Sequence, residues 1–238
     1  MDLNPLPSAG VTSAYRLFRL SAWASLLCCA CYCIGLATVF FVAPGLNKGA
    51  EDRLAFILES GHILQAWYFV IYVIFGICLI TLNVGLRRWL MPSSSAMLQL
   101  SFITGWIWAA YVFASGLISI LAIQYLLSLP YENQKTIWYA IYSIQSGLGE
   151  GVEWVGGLWM IFLSLHILKH GRNHAPFGFA GLVIGVCGAL TMLPGLALAG
   201  AVFGVSQTFW FIALGQILFA CARRIKNEDF TPISPQMH

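Results

Sequence analysis

The segment SGLGEGVEWVGG, residues 146–157, carries Glu150 and Glu153 within a long apolar stretch. A spacing of three sets two carboxylates on one face of a helix. Gly147, Gly149 and Gly151 beside them permit close helix approach or an unwound turn. An unpaired carboxylate is costly in hydrocarbon, so such acids are neutral or face a polar cavity, and intramembrane acids commonly mark ion paths. Other polar side chains fall at a similar level on neighbouring stretches: His62 and Gln65, Ser115 and Ser119, Ser206 and Gln207. The expected arrangement is an outward-facing polar pocket lined by Glu150, Glu153, His62, Gln65 and Gln207. The competing expectation is that both acids lie at the interface and reach outer water. With Glu153 and His62 as acid and base, the same groups would serve an intramembrane enzyme.

Two further clusters invite a metal. His166, His170 and His174 stand at H-x3-H-x3-H, which on an unbroken helix aligns three imidazoles for zinc or iron. Gly171 and the GRNHAP turn are expected to end the helix before His174, and cationic side chains suit a helix C-terminus in any case. Cys28, Cys29, Cys31 and Cys33 crowd into LLCCACYC, an apolar run where free cysteine acts as a small hydrophobe. A bis-histidine haem on His62 and His166 is excluded because the two lie at opposite ends of their helices. Neither G-x-S-x-G nor a Ser/Lys pair within a span occurs, while Asn83 and Thr104 read as polar links between helices. No metal and no cofactor is expected.

These residues must be positioned by membrane helices. Hydrophobic residues make up 59% of the chain and charged ones 9%, against about 25% charged in a soluble domain. Apolar stretches longer than a core helix needs mark an integral membrane protein. The expected fold is all-α, a polytopic bundle of six transmembrane helices with short loops, spanning 20–43, 62–86, 97–127, 148–168, 177–199 and 203–222. A short amphipathic segment, 50–60, is expected at the outer interface, with Leu54, Ile57 and Leu58 on one face. Residues 225–238 form a tail.

Charge fixes the direction. With six spans, Arg16, Arg19, Arg87, Arg88, Lys169, Arg172, Arg223, Arg224 and Lys226 share one side, and only Lys48, Arg53 and Lys135 the other. That bias puts both termini in the cytoplasm. The basic residues are paired at the ends of apolar runs, which argues against a nucleic-acid surface despite a net charge of +3. Counting from the Lys169 end, Glu153 lies roughly 22 Å and Glu150 roughly 27 Å above Leu168, in the outer third of the bilayer.

The stretches ESGHILQAWYFVIYVIFGICLITLNVGLRRWL and GGLWMIFLSLHILKHGRNHAPFGFAGLVIGVCGAL, with the span order and the longer loop after the first span, resemble a group of uncharacterised bacterial six-span membrane proteins. The resemblance covers roughly residues 16–224. It implies a six-span fold in a bacterial plasma (inner) membrane and carries over no substrate or catalytic residue. Three readings follow: a non-enzymatic membrane protein that partners another membrane protein or binds a lipid-like small molecule, a proton-linked or small-molecule carrier, or an intramembrane enzyme.

Overall fold

The computed structural model describes residues 8–43, 46, 49–90, 95–148, 153–193 and 196–230, and every element among them is helical. Helix α1 (Ser8–Ala37) runs into a π-turn at Thr38–Val42. Helix α2 (Ala50–Tyr68) continues through a π-turn at Phe69–Ile74 into α3 (Phe75–Leu90). Then follow α4 (Ala96–Ser128), α5 (Tyr131–Leu148), α6 (Glu153–His170), α7 (Ala175–Leu190) and α8 (Ala197–Phe230).

Local chemistry sets several ends. Ser95 caps α4, its Oγ accepting the Leu98 N–H at 3.2 Å, which satisfies one of the amides a helix start leaves unbonded. Pro130 separates α4 from α5, and Pro176 opens α7, where its missing N–H costs nothing. Helix α6 closes at His170, with Gly171 N–H donating to Ile167 O at 2.7 Å, and a single 3-10 turn at Arg172–His174 follows. The three histidines therefore do not share one helix.

Helices α1, α3, α4, α6, α7 and α8 pack as a closed ring in chain order, with α8 returning to α1. Ser21 Oγ donates to Thr81 O at 3.1 Å across α1 and α3, and Ser25 Oγ to Phe211 O at 2.7 Å across α1 and α8. Aromatic side chains fill the middle. Trp159 meets Trp108 at 5.5 Å and Trp210 at 5.7 Å between ring centroids, and Phe75 joins Trp108 to Tyr32 at 5.4 Å on each side.

The α6–α7 contact is made by glycine. The buried residues of α7 are Gly178, Gly181, Gly185 and Gly188. A Cβ on Gly157 of α6 would meet backbone atoms of α7: Ala189 N, Gly185 O at 2.5 Å and Gly188 C at 2.7 Å. Small residues let helix backbones touch where lipid leaves no hydrophobic drive between helices.

Five stretches are long and apolar enough to cross a membrane: Thr12–Val42, Ala50–Leu90, Ala96–Ser128, Tyr131–His170 and Leu198–Asn227. Ala175–Leu190 is apolar but shorter. The expected span 177–199 is interrupted: α7 stops at Leu190, and Thr191 Oγ1 donates back to Gly188 O at 2.7 Å. Pro194 and Gly195 come next in the sequence, and α8 begins at Ala197, earlier than 203.

At the end opposite Lys169, α2, α5 and the last turns of α4 form a second core from Leu54, Ile57, Leu64, Ile123, Leu126 and Trp138. Leu58 is exposed, so only part of the expected apolar face is used. Trp138 Nε1 donates to Ala50 O at 2.6 Å, Arg53 donates to Leu46 O at 2.6 Å, and Gln134 Nε2 donates to Leu126 O and Leu129 O at 3.1 Å. On its surface Lys135 pairs with Glu51 at 2.6 Å, and Tyr139 OH donates to the same carboxylate at 3.0 Å. Exposed pairs contribute little because solvent screens them. Lys135→Met is therefore expected to leave limited-proteolysis patterns unchanged, whereas Trp138→Ala, which empties this core, should open α2 and α5 to cleavage.

Candidate functional site

Glu153 occupies the first turn of α6, where the helix dipole favours a carboxylate. It is half-buried. Its carbonyl lies where a Cβ on Gly188 would meet it at 2.8 Å, and the same Cβ would meet the Phe203 ring at 2.6 Å. Absence of a side chain at Gly188 thus brings the start of α6 against Phe203 of α8. Gln207 follows Phe203 by four residues, which puts it on the same buried face one turn nearer the basic end.

Gln207 is fully buried, and neither its Oε1 nor its Nε2 has a hydrogen-bond partner. A buried amide atom left unbonded costs about 1–3 kcal/mol. Tyr32 of α1 brackets this residue. Its ring lies 3.6 Å from the Cβ position of Gly204 and 6.2 Å, centroid to centroid, from Phe211. Gly204 and Phe211 are three residues before and four after Gln207, so all three face α1 at Tyr32. Tyr32 and Gln207 thus lie on the facing helices α1 and α8, and the backbone of Glu153 at the start of α6 lies by Phe203, one turn from Gln207.

The other expected members are placed differently. Glu150 lies outside the described residues. His62 is exposed, just past a kink at Ser60 (φ −140°, ψ 36°). Gln65 is half-buried and commits its Nε2 to Ile120 O at 2.9 Å, linking α2 to α4. Ser119 Oγ accepts from Gln145 Nε2 and donates to Ser115 O, each at 2.7 Å, which joins α4 to α5.

Toward the basic end, Trp108, Trp159 and Trp210 form a layer. Trp159 Nε1 donates to Asn83 Oδ1 at 2.9 Å within it, both residues buried, so Asn83 is the interhelical link expected of it. Beyond this layer, Ser95 Oγ and His166 Nδ1 stand 2.7 Å apart. Since Ser95 Oγ already accepts the Leu98 N–H, its own proton is available to His166. His166 stacks on His170 with centroids 4.6 Å apart, while His174 meets Trp89 at 5.3 Å. The imidazoles are thus engaged in capping and stacking. Cys28 and Cys31 are buried in the main core, and no group of three or more metal-ligating side chains among the described residues is arranged to hold an ion.

Sequence reasoning missed Tyr32. The signal was available: it is a tyrosine in the middle of an expected span, away from the interfacial belts where tyrosine is common. The Ser95–His166 link had no such signal, since it joins residues far apart in the chain. Against known proteins, no family model, no curated protein and no solved structure matches this chain.

Proposed function

We propose that this chain is a six-span, non-enzymatic integral membrane protein that binds a small or lipid-like molecule at Glu153, Tyr32 and Gln207, from the outer side of the membrane. The observation that carries the reading is Gln207, a fully buried amide with both polar atoms unpartnered. Such a group costs stability unless something meets it, and a ligand's donor and acceptor would. The half-burial of Glu153 gives that ligand a polar approach.

The basic residues support cytoplasmic termini, and the resemblance of the sequence supports a bacterial plasma membrane. Helix α7, about 24 Å long, serves as the fifth span, with the bilayer thinning locally by a few ångströms. Helix α4, at about 50 Å, overruns a hydrocarbon core of about 30 Å. Its surplus belongs to the cap with α2 and α5, where Glu51, Asp52, Arg53, Glu132 and Lys135 cluster. The tryptophan layer beneath Gln207 supports binding over carriage, because its three indoles pack against one another there. A green fluorescent protein fused after residue 238 is expected to fluoresce and an alkaline phosphatase there to stay inactive, as cytoplasmic termini require.

The binding reading is tested by native mass spectrometry of the full chain in mild detergent. The expected result is a small molecule or lipid retained by the wild type and lost from Gln207→Leu, with unchanged circular dichroism. An equal adduct profile in both would overturn it.

A further inference from the structure

The basic end of the bundle carries its charge unevenly. Arg16 and Arg19 of α1, Arg87 and Arg88 of α3, and Arg223 and Arg224 of α8 are all exposed. These helices are neighbours in the ring, with α1 in the middle. Glu228 and Asp229 are the only acids on them, while α4 and α7 carry no Lys or Arg and α6 only Lys169. Register brings the six arginines to one depth. Ser21 Oγ meets the Cβ position of Gly85 and bonds to Thr81 O, so Arg87 and Arg88 come level with Arg19 as the antiparallel helices run on. Trp23 meets Phe219 at 5.4 Å, and Arg19 and Arg223 each lie one turn further toward the basic end. We infer that the α3–α1–α8 face of this end binds an anionic phospholipid with two phosphates, a cardiolipin-type headgroup. This site is separate from Gln207 and rests only on the embedding of the chain in a membrane.

Basic residues at a helix end orient a chain wherever they stand around the ring, so orientation alone does not require this clustering. Like charges gathered at one depth repel, and an anion between them relieves the repulsion. Among the described residues, the ion pair of Lys135 and Glu51 lies at the opposite end, and none of the six arginines has a carboxylate partner. Arg19 commits one N–H to the Tyr15 hydroxyl at 3.3 Å, and its guanidinium has others to give. The adjoining apolar surface selects a lipid over a soluble anion. Leu20, Trp23 and Leu27 are 61%, 54% and 48% exposed and form one stripe of α1 that leads to Arg16 and Arg19. Ile77 and Val84 form a like stripe on α3 that ends at Arg88. Acyl chains fit such stripes, with phosphates at the guanidinium groups, whose forked N–H donors match phosphate oxygens. Arginine pairs flank α1 on both sides, from α3 and from α8, so two phosphates are matched better than one.

The test titrates the full chain in mild detergent with cardiolipin, phosphatidylglycerol and phosphatidylcholine and counts bound lipid by native mass spectrometry. The wild type is expected to hold cardiolipin at least severalfold more tightly than phosphatidylglycerol, and phosphatidylcholine least. Arg19→Gln/Arg87→Gln/Arg223→Gln should weaken cardiolipin binding by about fivefold for each cation removed, about a hundredfold in all. The matching triple change to lysine should keep most of the affinity. Lys169→Gln removes a charge at the same end but across the ring, and should leave the affinity unchanged. A loss in Lys169→Gln as large as in Arg19→Gln would show that overall charge, not this face, holds the lipid, and overturns the site. Phosphatidylglycerol or phosphatidylcholine held by the wild type as tightly as cardiolipin overturns it too, whether or not the variants fold. Gln207→Leu should retain cardiolipin in full, so this site and the small-molecule reading fail separately. Each variant is compared only where circular dichroism and elution volume match the wild type.

Discussion

Gly157→Val is expected to abolish the folded bundle. The atoms that a Cβ at Gly157 would strike are backbone atoms of α7, including Gly185 O at 2.5 Å, and backbone cannot rotate aside as a side chain can. The helices must separate along the face where the buried residues of α7 are glycines, leaving α7 held by its α8 side, where Phe177 stacks on Trp210. Overpacking a core costs about 1–3 kcal/mol where side chains can adjust, so a backbone clash should exceed about 3 kcal/mol. Gly147→Ala provides the contrast. That glycine lies in α5 with nothing within 4 Å of its Cβ position, and alanine in a helix gains about 0.5–1 kcal/mol over glycine. Elution of a monodisperse peak after heating, read by size-exclusion chromatography, should be lost for Gly157→Val and kept or improved for Gly147→Ala.

Trp159 should be the most sensitive single side chain. It is fully buried, touches Trp108 and Trp210, and holds Asn83 by its indole N–H. Trp159→Ala removes all three contacts and leaves a cavity between α3, α4, α6 and α8, at a cost of about 3–5 kcal/mol. Trp159→Phe retains much of the ring packing but leaves Asn83, whose Nδ2 is already unpartnered, with no bond at all. That smaller loss, about 1–2 kcal/mol, measures the polar link alone. A thermal midpoint in detergent that falls equally for both variants would show that the hydrogen bond stabilises the bundle more than the ring packing does.

The helical class and the ends of several helices could be read from residues alone, because long apolar runs and the paired basic residues that close them favour helices of that length. Arg87 and Arg88 end α3, and Lys169 with His170 ends α6, near where the charge pattern puts them. What escaped depends on contacts between distant residues. Hydropathy runs on through Leu196 and hides the stop of α7 at Leu190, although the Pro194–Gly195 pair hinted at a break. Helix α5 owes its place to Trp138 docking on Ala50, a pairing that no local pattern encodes. Of the expected pocket residues, Glu153 is half-buried and Gln207 fully buried, whereas His62 is exposed. That exposure was not legible, since His62 follows a kink at Ser60 and backbone angles at one serine leave no trace in composition.

The ring of helices also dictates an order of assembly. Each of α3, α4, α6 and α7 meets a ring neighbour already made as the chain grows, so most contacts are local and form early. The seam between α1 and α8 is the exception, and Ser25 waits for Phe211 across most of the chain. Tyr32 and Gln207 sit on these same two helices. A chain that stops before α8 therefore has five ring helices but neither Gln207 nor the α1–α8 seam, and both arrive in one step, with the last helix inserted.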